Sequence, residues 1–183
     1  MSTTLPRHRV NTLTGTRGAK IVEDPGEYAN LINKAKRPLL VLGPLLLAPG
    51  PDGQPLMQYA LDIARAANIP TCATAHIKGK MDEMEATPDC VYDAVEIANA
   101  LKNPEWRGVK QEGNHDLVLF FGIRSDMANQ TLSVLKHFAP HLKTMTLCKH
   151  YFPNANYSLP NFRKDAQWTQ FLDGLVEKLR KGD

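Results

Sequence analysis

The run Leu39-Leu40-Val41-Leu42-Gly43 constrains the fold of this chain more than any other segment. It is apolar at every position before the glycine, which is typical of a central strand in a parallel sheet, because helices cover both faces of such a strand. Similar runs lie at residues 69–75, 117–122 and 144–148, and segments with a helical spacing of apolar residues separate them. The alternation predicts a three-layer α/β fold, with a mostly parallel sheet and helices on both faces.

Capping residues and a helical spacing of apolar residues predict helices between the predicted strands. Asp24 is expected to act as N-cap, Pro25 suits the first helical position, and Glu27 completes a capping box. Residues 76–86 are expected to form a polar loop. Further helices are predicted over residues 56–67, from Thr87-Pro88 to Asn103-Pro104, from a cap at Ser125 or Asp126 to residue 139, and over residues 165–180. No internal repeat or linker interrupts residues 21–183, which are predicted to form a single Rossmann-like domain.

The N-terminal residues differ in composition from the rest of the chain. The first 22 residues contain four Lys and Arg side chains and no acidic one, as a transit peptide does. Pro6, Gly15 and Gly18 interrupt any amphipathic helix there, however. We therefore expect residues 1–20 to form a flexible basic arm of a protein that is not exported.

Composition excludes several classes of function. The net charge of +3 is too small to indicate nucleic-acid binding, and no apolar run is long enough to cross a membrane. The cysteines, Cys72, Cys90 and Cys148, are odd in number and lie far apart, which argues against a disulfide framework. Together these features predict a reduced, cytoplasmic protein.

The carboxyl ends of the predicted strands are where ligands and partners meet a sheet of this kind. The residues that follow these strand ends are mainly basic, and two interpretations remain open: a pocket for a phosphate-bearing cofactor, or a surface that docks an acidic partner. The candidate cofactor-binding residues are Gly43, Pro44, His76, Lys78, Gly79, Arg124 and Ser125.

A dinucleotide site of the usual kind conflicts with the first strand-to-helix turn. A diphosphate needs a glycine turn and free amide hydrogens at a helix start, as the G-x-G-x-x-G pattern provides. That pattern is absent, and the turn contains four prolines, which have no amide hydrogen: Pro44, Pro49, Pro51 and Pro55. A variant phosphate site through Lys78, Arg124 and the backbone near Gly43 stays open.

Two segments are candidates for a partner interface besides the basic arm. Residues 45–47 are three leucines, which either enter a loop and form an exposed apolar patch or continue the preceding strand. Residues 152–162 combine aromatic side chains with turn-forming residues, and they either contact a partner or lie on the core of the domain. The candidate interface residues are Leu45, Leu46, Leu47, Phe152, Asn154, Asn156, Tyr157 and Phe162.

Catalytic motifs are absent from the sequence. It contains no G-x-S-x-G elbow, P-loop or H-E-x-x-H motif. His137 and His141 have the spacing of paired metal ligands, but Pro140 should end the helix before the second one. The Gly-Asp-Gly motif of thiamine diphosphate enzymes is broken, because Pro51 precedes Asp52-Gly53. We expect the chain to have no catalytic machinery and no metal site of its own.

Residues 35–43, with a helix before them and Ile69-Pro70-Thr71 after, resemble the central domain of thiamine-dependent enzymes. That resemblance implies a fold of the deoxyhypusine synthase-like NAD/FAD-binding type. Gly18-Ala19-Lys20, residues 36–41 and especially Pro153-Asn154-Ala155-Asn156-Tyr157-Ser158-Leu159-Pro160-Asn161 resemble the epsilon subunit of the archaeal acetyl-CoA decarbonylase/synthase complex.

The narrower resemblance implies an accessory role. Epsilon subunits pair with the large alpha subunit, which holds the nickel–iron–sulfur centre, and the resemblance implies an alpha2-epsilon2 carbon monoxide dehydrogenase component within the larger complex. The expected role is to stabilise alpha or to help pass electrons toward FAD, whose binding is suggested by fold kinship. The alternative is a stand-alone FAD- or NAD(P)-binding electron-transfer module.

Overall fold

The computed structural model of the chain describes residues 18–51 and 53–182. These residues form one sheet in which every strand pairs in parallel with its neighbours, in the order β1-β7-β6-β5-β2-β3-β4. The strands are β1 (Lys20–Ile21), β2 (Pro38–Leu42), β3 (Thr71–Ala73), β4 (Cys90–Val91), β5 (Leu117–Phe121), β6 (Lys143–Thr146) and β7 (Tyr157–Ser158). The helices are α1 (Pro25–Asn33), α2 (Leu56–Ala66), α3 (Ala75–Glu83), α4 (Ala94–Lys102), α5 (Ser125–Phe138) and α6 (Asp165–Lys181), and Pro44–Leu47 form a short 3-10 helix.

The helices lie in two layers, one on each face of the sheet. Alternate residues of β2 explain this arrangement, since Leu40 and Leu42 pack with α1, α2, α3 and α6, whereas Leu39 and Val41 pack with α4 and α5. The predicted three-layer α/β fold is thus confirmed. None of the helices within the described ranges is long and apolar enough to cross a membrane.

The strand order reverses between β2 and β5. From β2 the chain builds outward through β3 to β4, and from β5 it builds in the other direction through β6 to β7. Both central strands are buried along almost their whole length, as their uniformly apolar sequences predict. The switch point, where open α/β sheets usually bind ligands, therefore lies at the carboxyl ends of β2 and β5.

The start of α1 confirms only part of the predicted capping box. The Asp24 carboxylate accepts a hydrogen bond from the backbone amide of Glu27 at 3.0 Å, as an N-cap does. The Glu27 side chain instead pairs with the Lys20 ammonium at 2.5 Å. Lys20 was expected in the flexible arm, but it belongs to β1. Ala19, also expected in the arm, is buried, and residues 1–17 of the predicted arm lie outside the described residues.

The predicted polar loop over residues 76–86 is wrong, because most of it is helix α3. The sequence concealed this helix, since Ile77 and Met81 are its only fully buried side chains and Gly79 lies between them. One buried pair, four residues apart, holds the helix against the sheet. Polar residues around that pair gave no amphipathic pattern.

The helix predicted to begin at Thr87-Pro88 begins later, at Ala94. Val91, expected on that helix, lies in β4 beside β3. Asp93 caps α4, because its carboxylate accepts hydrogen bonds from the backbone amides of Val95 at 2.8 Å and Glu96 at 2.7 Å. The Glu96 carboxylate in turn accepts a hydrogen bond from the Asp93 backbone amide at 2.9 Å. This complete capping box is visible in the sequence and would have located the helix start.

A buried histidine links the loop before β5 to the start of β2. The Nδ1 atom of His115 lies 2.9 Å from the Arg37 carbonyl oxygen, and its Nε2 atom accepts the Val109 amide hydrogen bond at 3.2 Å. These partners fit the neutral ring, which donates at one nitrogen and accepts at the other. Burial is the main cause that lowers the pKa of His115 below its usual value of 6.5.

We expect the free energy of unfolding to fall as the pH drops below about 6.5, because the unfolded chain then binds a proton that the folded His115 binds only at lower pH. In His115→Gln this contribution is absent, so the variant should lose less stability than the unsubstituted chain between about pH 7.5 and about pH 5.5. Urea unfolding at both values measures the difference. The exposed His76→Gln variant is the control and should keep the full pH dependence; an unchanged pH dependence in His115→Gln would contradict the assignment.

Candidate functional site at the carboxyl edge of the sheet

Two glycines meet at the switch point. Gly43 follows β2 and Gly122 follows β5, and a Cβ atom placed on Gly43 would lie 2.4 Å from the Gly122 carbonyl oxygen and 2.5 Å from the Ile123 nitrogen. No side chain fits in that space. Gly122 also has a φ of +75°, a conformation that glycine adopts readily and other residues rarely do. Gly43 is therefore required by the approach of the chain to itself, with no ligand needed to explain it.

Backbone groups at this turn bind one another. The Gly43 amide donates to the Phe121 carbonyl at 2.8 Å, the Leu45 amide to the Gly122 carbonyl at 2.9 Å, and the Leu46 amide to the Gly43 carbonyl at 3.1 Å. Pro44 has no amide hydrogen to offer. The donors that would hold a diphosphate in a glycine-rich turn are consequently engaged within the chain.

Leu46 fills the remaining space at the switch point. Its side chain is buried, and a Cβ atom placed on Gly122 would lie only 2.5 Å from the Leu46 Cγ atom. Residues 44–47 form the 3-10 helix that points Leu46 inward, so the predicted continuation of β2 is wrong. Leu45 and Leu47 are each about half exposed, in agreement with the alternative of an apolar patch.

The predicted basic residues lie exposed near this closed turn. His76, Lys78 and Gly79 are exposed on α3. Arg124 precedes α5 and forms an ion pair with Asp126 at 2.6 Å. The Arg124 guanidinium hydrogen bond lowers the pKa of the Asp126 carboxyl below its usual value. The predicted cap at Ser125 or Asp126 is wrong, since α5 begins at Ser125 with no side-chain cap.

Exposed apolar side chains collect at the same edge of the sheet. We call this set the apolar edge surface, and each of its members follows the carboxyl end of a strand or lies there. Their exposed fractions range from 37% to 53%, and they are Leu45, Leu47, Val91, Val95 and Met127. Val95 and Met127 lie in the first turns of α4 and α5, which pack side by side on one face of the sheet.

Sequence reasoning missed three members of the apolar edge surface. Val91 and Val95 both belonged to the apolar pattern of the helix predicted to begin at Thr87-Pro88, and Met127 stood among polar residues. The Asp93–Glu96 capping box would have placed Val95 in a first helical turn, where side chains point to the carboxyl edge. Met127 carries no comparable signal.

Residues 152–162 are mostly bound to their own domain. Phe152 and Asn154 are buried, as is Leu46 of the other candidate segment, so none of the three offers surface to a partner. The Asn156 carboxamide accepts the Thr144 amide hydrogen bond at 2.8 Å, and this contact fixes the segment beside β6. Its next residues, Tyr157 and Ser158, form β7.

Phe162 ends this segment and also contacts the domain. It is half-buried, and its ring lies 6.1 Å from that of Phe171 on α6. Of the candidate interface residues in the segment, Asn156, Tyr157 and Phe162 keep part of their surface exposed.

The histidines with metal-ligand spacing do not form a pair. Helix α5 ends at Phe138, before Pro140, as the proline predicts. His141 lies 3.1 Å from the Leu101 carbonyl oxygen through its Nε2 atom. Across residues 18–51 and 53–182, no group of three or more His, Cys, Asp and Glu side chains is arranged to hold a metal ion.

Comparison with known proteins decides the family. The family model described as "CO dehydrogenase beta subunit/acetyl-CoA synthase epsilon subunit" matches residues 2–176. The chain belongs to this family. The predicted resemblance to epsilon subunits is thereby confirmed. The segment around Asn154 and Asn156 suggested that resemblance, and it leads directly into β7.

Individual relatives support the same family. The acetyl-CoA decarbonylase/synthase complex subunit epsilon of Methanothermobacter thermautotrophicus is 40% identical over 165 residues, which cover 89% of this chain and 90% of that protein. Subunit epsilon 1 of Methanosarcina barkeri is 35% identical, with 85% and 86% covered. Subunit epsilon 2 of Methanosarcina mazei is 33% identical, with 98% and 100% covered.

One solved structure has a weak likeness to this epsilon-family chain. It is described as a thiamin diphosphate-dependent enzyme from Mycobacterium smegmatis, is 15% identical and has a TM-score of 0.45. The match covers 90% of this chain and 30% of that one. At this TM-score the likeness adds nothing to the account of the site.

We expect Gly43→Ala to destabilise the chain by about 2–4 kcal/mol, because the new Cβ atom must push β2 and β5 apart where they meet. Gly79→Ala is the matched control. A Cβ atom there meets nothing within 4 Å, and Gly79 lies inside α3, so alanine should stabilise by about 0.5–1 kcal/mol. Urea unfolding of both variants measures these changes. Equal stability of the two variants would contradict the close approach of Gly43 and Gly122.

Proposed function

We propose that the chain is the epsilon subunit of an acetyl-CoA decarbonylase/synthase complex, which reversibly cleaves acetyl-CoA, and that it acts there by contact and not by catalysis. The observation that carries the proposal is the closed switch point, where Gly43, Gly122 and Leu46 occupy the usual ligand position. The apolar edge surface beside it supports a contact role, because exposed apolar groups with charged neighbours are typical of protein interfaces.

We propose that the partner is the large alpha subunit, which holds the nickel–iron–sulfur centre of the carbon monoxide dehydrogenase component. Two copies of each chain would form an alpha2-epsilon2 unit inside the larger complex, in the cytoplasm. The names of the relatives, which describe them as subunits of such a complex, support an assembly of this kind. Sedimentation of the purified component tests the stoichiometry, and a mass other than that of two alpha and two epsilon chains would contradict it.

The docking position we propose is the apolar edge surface. Leu45 and Leu47 project from the 3-10 helix, whose fold is fixed by the buried Leu46 between them. A rigid apolar projection loses little conformational entropy on binding. Lys78 lies exposed at the same edge, so the partner surface should have an apolar centre and an acidic group that faces Lys78.

Docking at this edge would stabilise alpha by removing apolar surface of both subunits from water. The direct test compares thermal inactivation of alpha with and without the epsilon chain. Slower inactivation in its presence supports the role, and an unchanged rate would contradict it.

An assisting role in electron transfer to FAD is a second candidate, and the basic residues after the strands are what favours it. Lys78 supplies positive charge suited to phosphate groups. The crevice that a flavin nucleotide would use is filled by Leu46, however. We therefore propose that the isolated chain does not bind FAD. Flavin fluorescence should stay unchanged when the protein is titrated with FAD to high micromolar concentration, and saturable quenching would overturn this part of the proposal.

We expect Leu47→Asp, and likewise Leu45→Asp, to weaken binding to the alpha subunit by about tenfold or more, because each places a charge on the apolar centre of the interface. Binding is measured by calorimetry or by surface plasmon resonance with purified alpha.

Phe138→Asp is the matched control for these substitutions. Phe138 is 67% exposed, more than either leucine, but it ends α5 at the opposite edge of the sheet. The control should bind alpha as the unsubstituted chain does. If Phe138→Asp weakens binding and the leucine variants do not, the docking position is wrong.

A further inference from the structure

Two of the cysteines face each other across adjacent strands. Cys72 of β3 and Cys90 of β4 are directly opposite in the register of the parallel pair. Strands in a sheet lie about 4.8 Å apart, and disulfide-bonded cysteines usually have Cα atoms about 4.4–6.8 Å apart. The Cα spacing at this position therefore lies in the range found for disulfides.

The two side chains also lie on the same face of the sheet. Cys72 is buried in the cluster that α4 and α5 build, and Cys90 packs against that cluster from its edge. The neighbouring Cys90 thiol raises the pKa of Cys72, and the Cys72 thiol lowers that of Cys90. Both sulfur atoms are free thiols in this structure.

Cys72 and Cys90 differ in solvent exposure, and this difference determines which thiol reacts first. Cys72 is fully buried, whereas Cys90 is partly exposed on the short edge strand β4. A reagent from solution therefore reaches Cys90 first. Cys148 follows β6, far from β3 and β4 in the strand order, and desolvation raises its pKa to about 11.

We propose that Cys72 and Cys90 form a redox-active dithiol that low-molecular-weight disulfides oxidise to an intramolecular disulfide. The Cys90 thiolate attacks one sulfur of the small disulfide, forming a mixed disulfide and releasing one thiolate. The Cys72 thiol then loses its proton and attacks the Cys90 sulfur, which breaks the mixed disulfide and releases the second thiolate. In total the protein loses two protons and two electrons, and the small disulfide takes them up and is reduced to two thiols.

The disulfide would tether the edge strand β4 to β3. β4 is only two residues long, and Val91 within it belongs to the apolar edge surface. The thiol chemistry itself is independent of the proposed docking, since it involves the isolated chain and no partner.

The test uses the full-length chain, reduced and freed of reductant under anaerobic conditions, then incubated with oxidised glutathione. We expect its mass to fall by two hydrogen atoms, with one of the three cysteines still open to alkylation, and peptide mapping to join Cys72 to Cys90. Dithiothreitol should reverse the change. A protein that keeps three free thiols, a stable glutathione adduct as the end product, or a disulfide that includes Cys148 would overturn the proposal.

Single substitutions separate the two roles. Cys72→Ala should stop at a glutathione adduct on Cys90, because the second attacking thiol is gone. Cys90→Ala should lose thiols at least about tenfold more slowly, since the remaining one of the pair is buried. Cys148→Ala should form the disulfide as the unsubstituted chain does. Oxidation of Cys72 at the normal rate in Cys90→Ala would contradict the order of attack.

Discussion

The close approach of Gly43 and Gly122 determines the shape of the carboxyl edge of the sheet. These glycines follow the two central strands, and the space for a Cβ atom on one is taken by the backbone of the other. The approach directs the amides of Gly43 and Leu45 to carbonyls of the β5 strand end and its turn. It also leaves Leu46 as the side chain that fills the switch point. A crevice that binds nucleotides in many α/β proteins is here part of the hydrophobic core.

The same constraint shapes the outer surface of the edge. Turning Leu46 inward on a 3-10 helix forces Leu45 and Leu47 outward, because successive residues of such a helix point about 120° apart. The exposure of Leu45 and Leu47 is therefore a consequence of closing the crevice. The contact role that we propose uses both features, and relatives in the family are named as subunits of a complex.

Elements with a long or regular pattern of apolar residues could be predicted from the sequence, and short ones could not. β2 and β5 were evident because each is apolar along its length, and α6 because its buried residues recur over many turns. The strands β4 and β7 have two residues each, too few for any periodicity, and their place depends on pairing with strands distant in sequence. Helix α3 escaped detection for the related reason that one buried pair holds it.

The sequence could indicate the edge of the sheet at which the candidate site lies, but not which residues form it. Parallel strands imply that function gathers at their carboxyl ends, and the prolines after Gly43 indicate a poor diphosphate site. The outward or inward direction of each leucine depends on the 3-10 turn, which no periodicity reveals. The aromatic and amide residues near Phe152 looked like contact residues, but hydrogen bonds such as that of Asn156 to Thr144 turn them toward their own sheet.

Residue-resolved hydrogen–deuterium exchange, with FAD or NAD(P) added in one series and the purified alpha subunit in another, can distinguish a closed switch point that docks a partner from a nucleotide site. We expect the nucleotides to leave exchange near residues 43–48 and 122–127 unchanged, whereas alpha should slow exchange there and near residues 91–96. Slower exchange at the switch point with a dinucleotide, and none with alpha, would contradict this expectation.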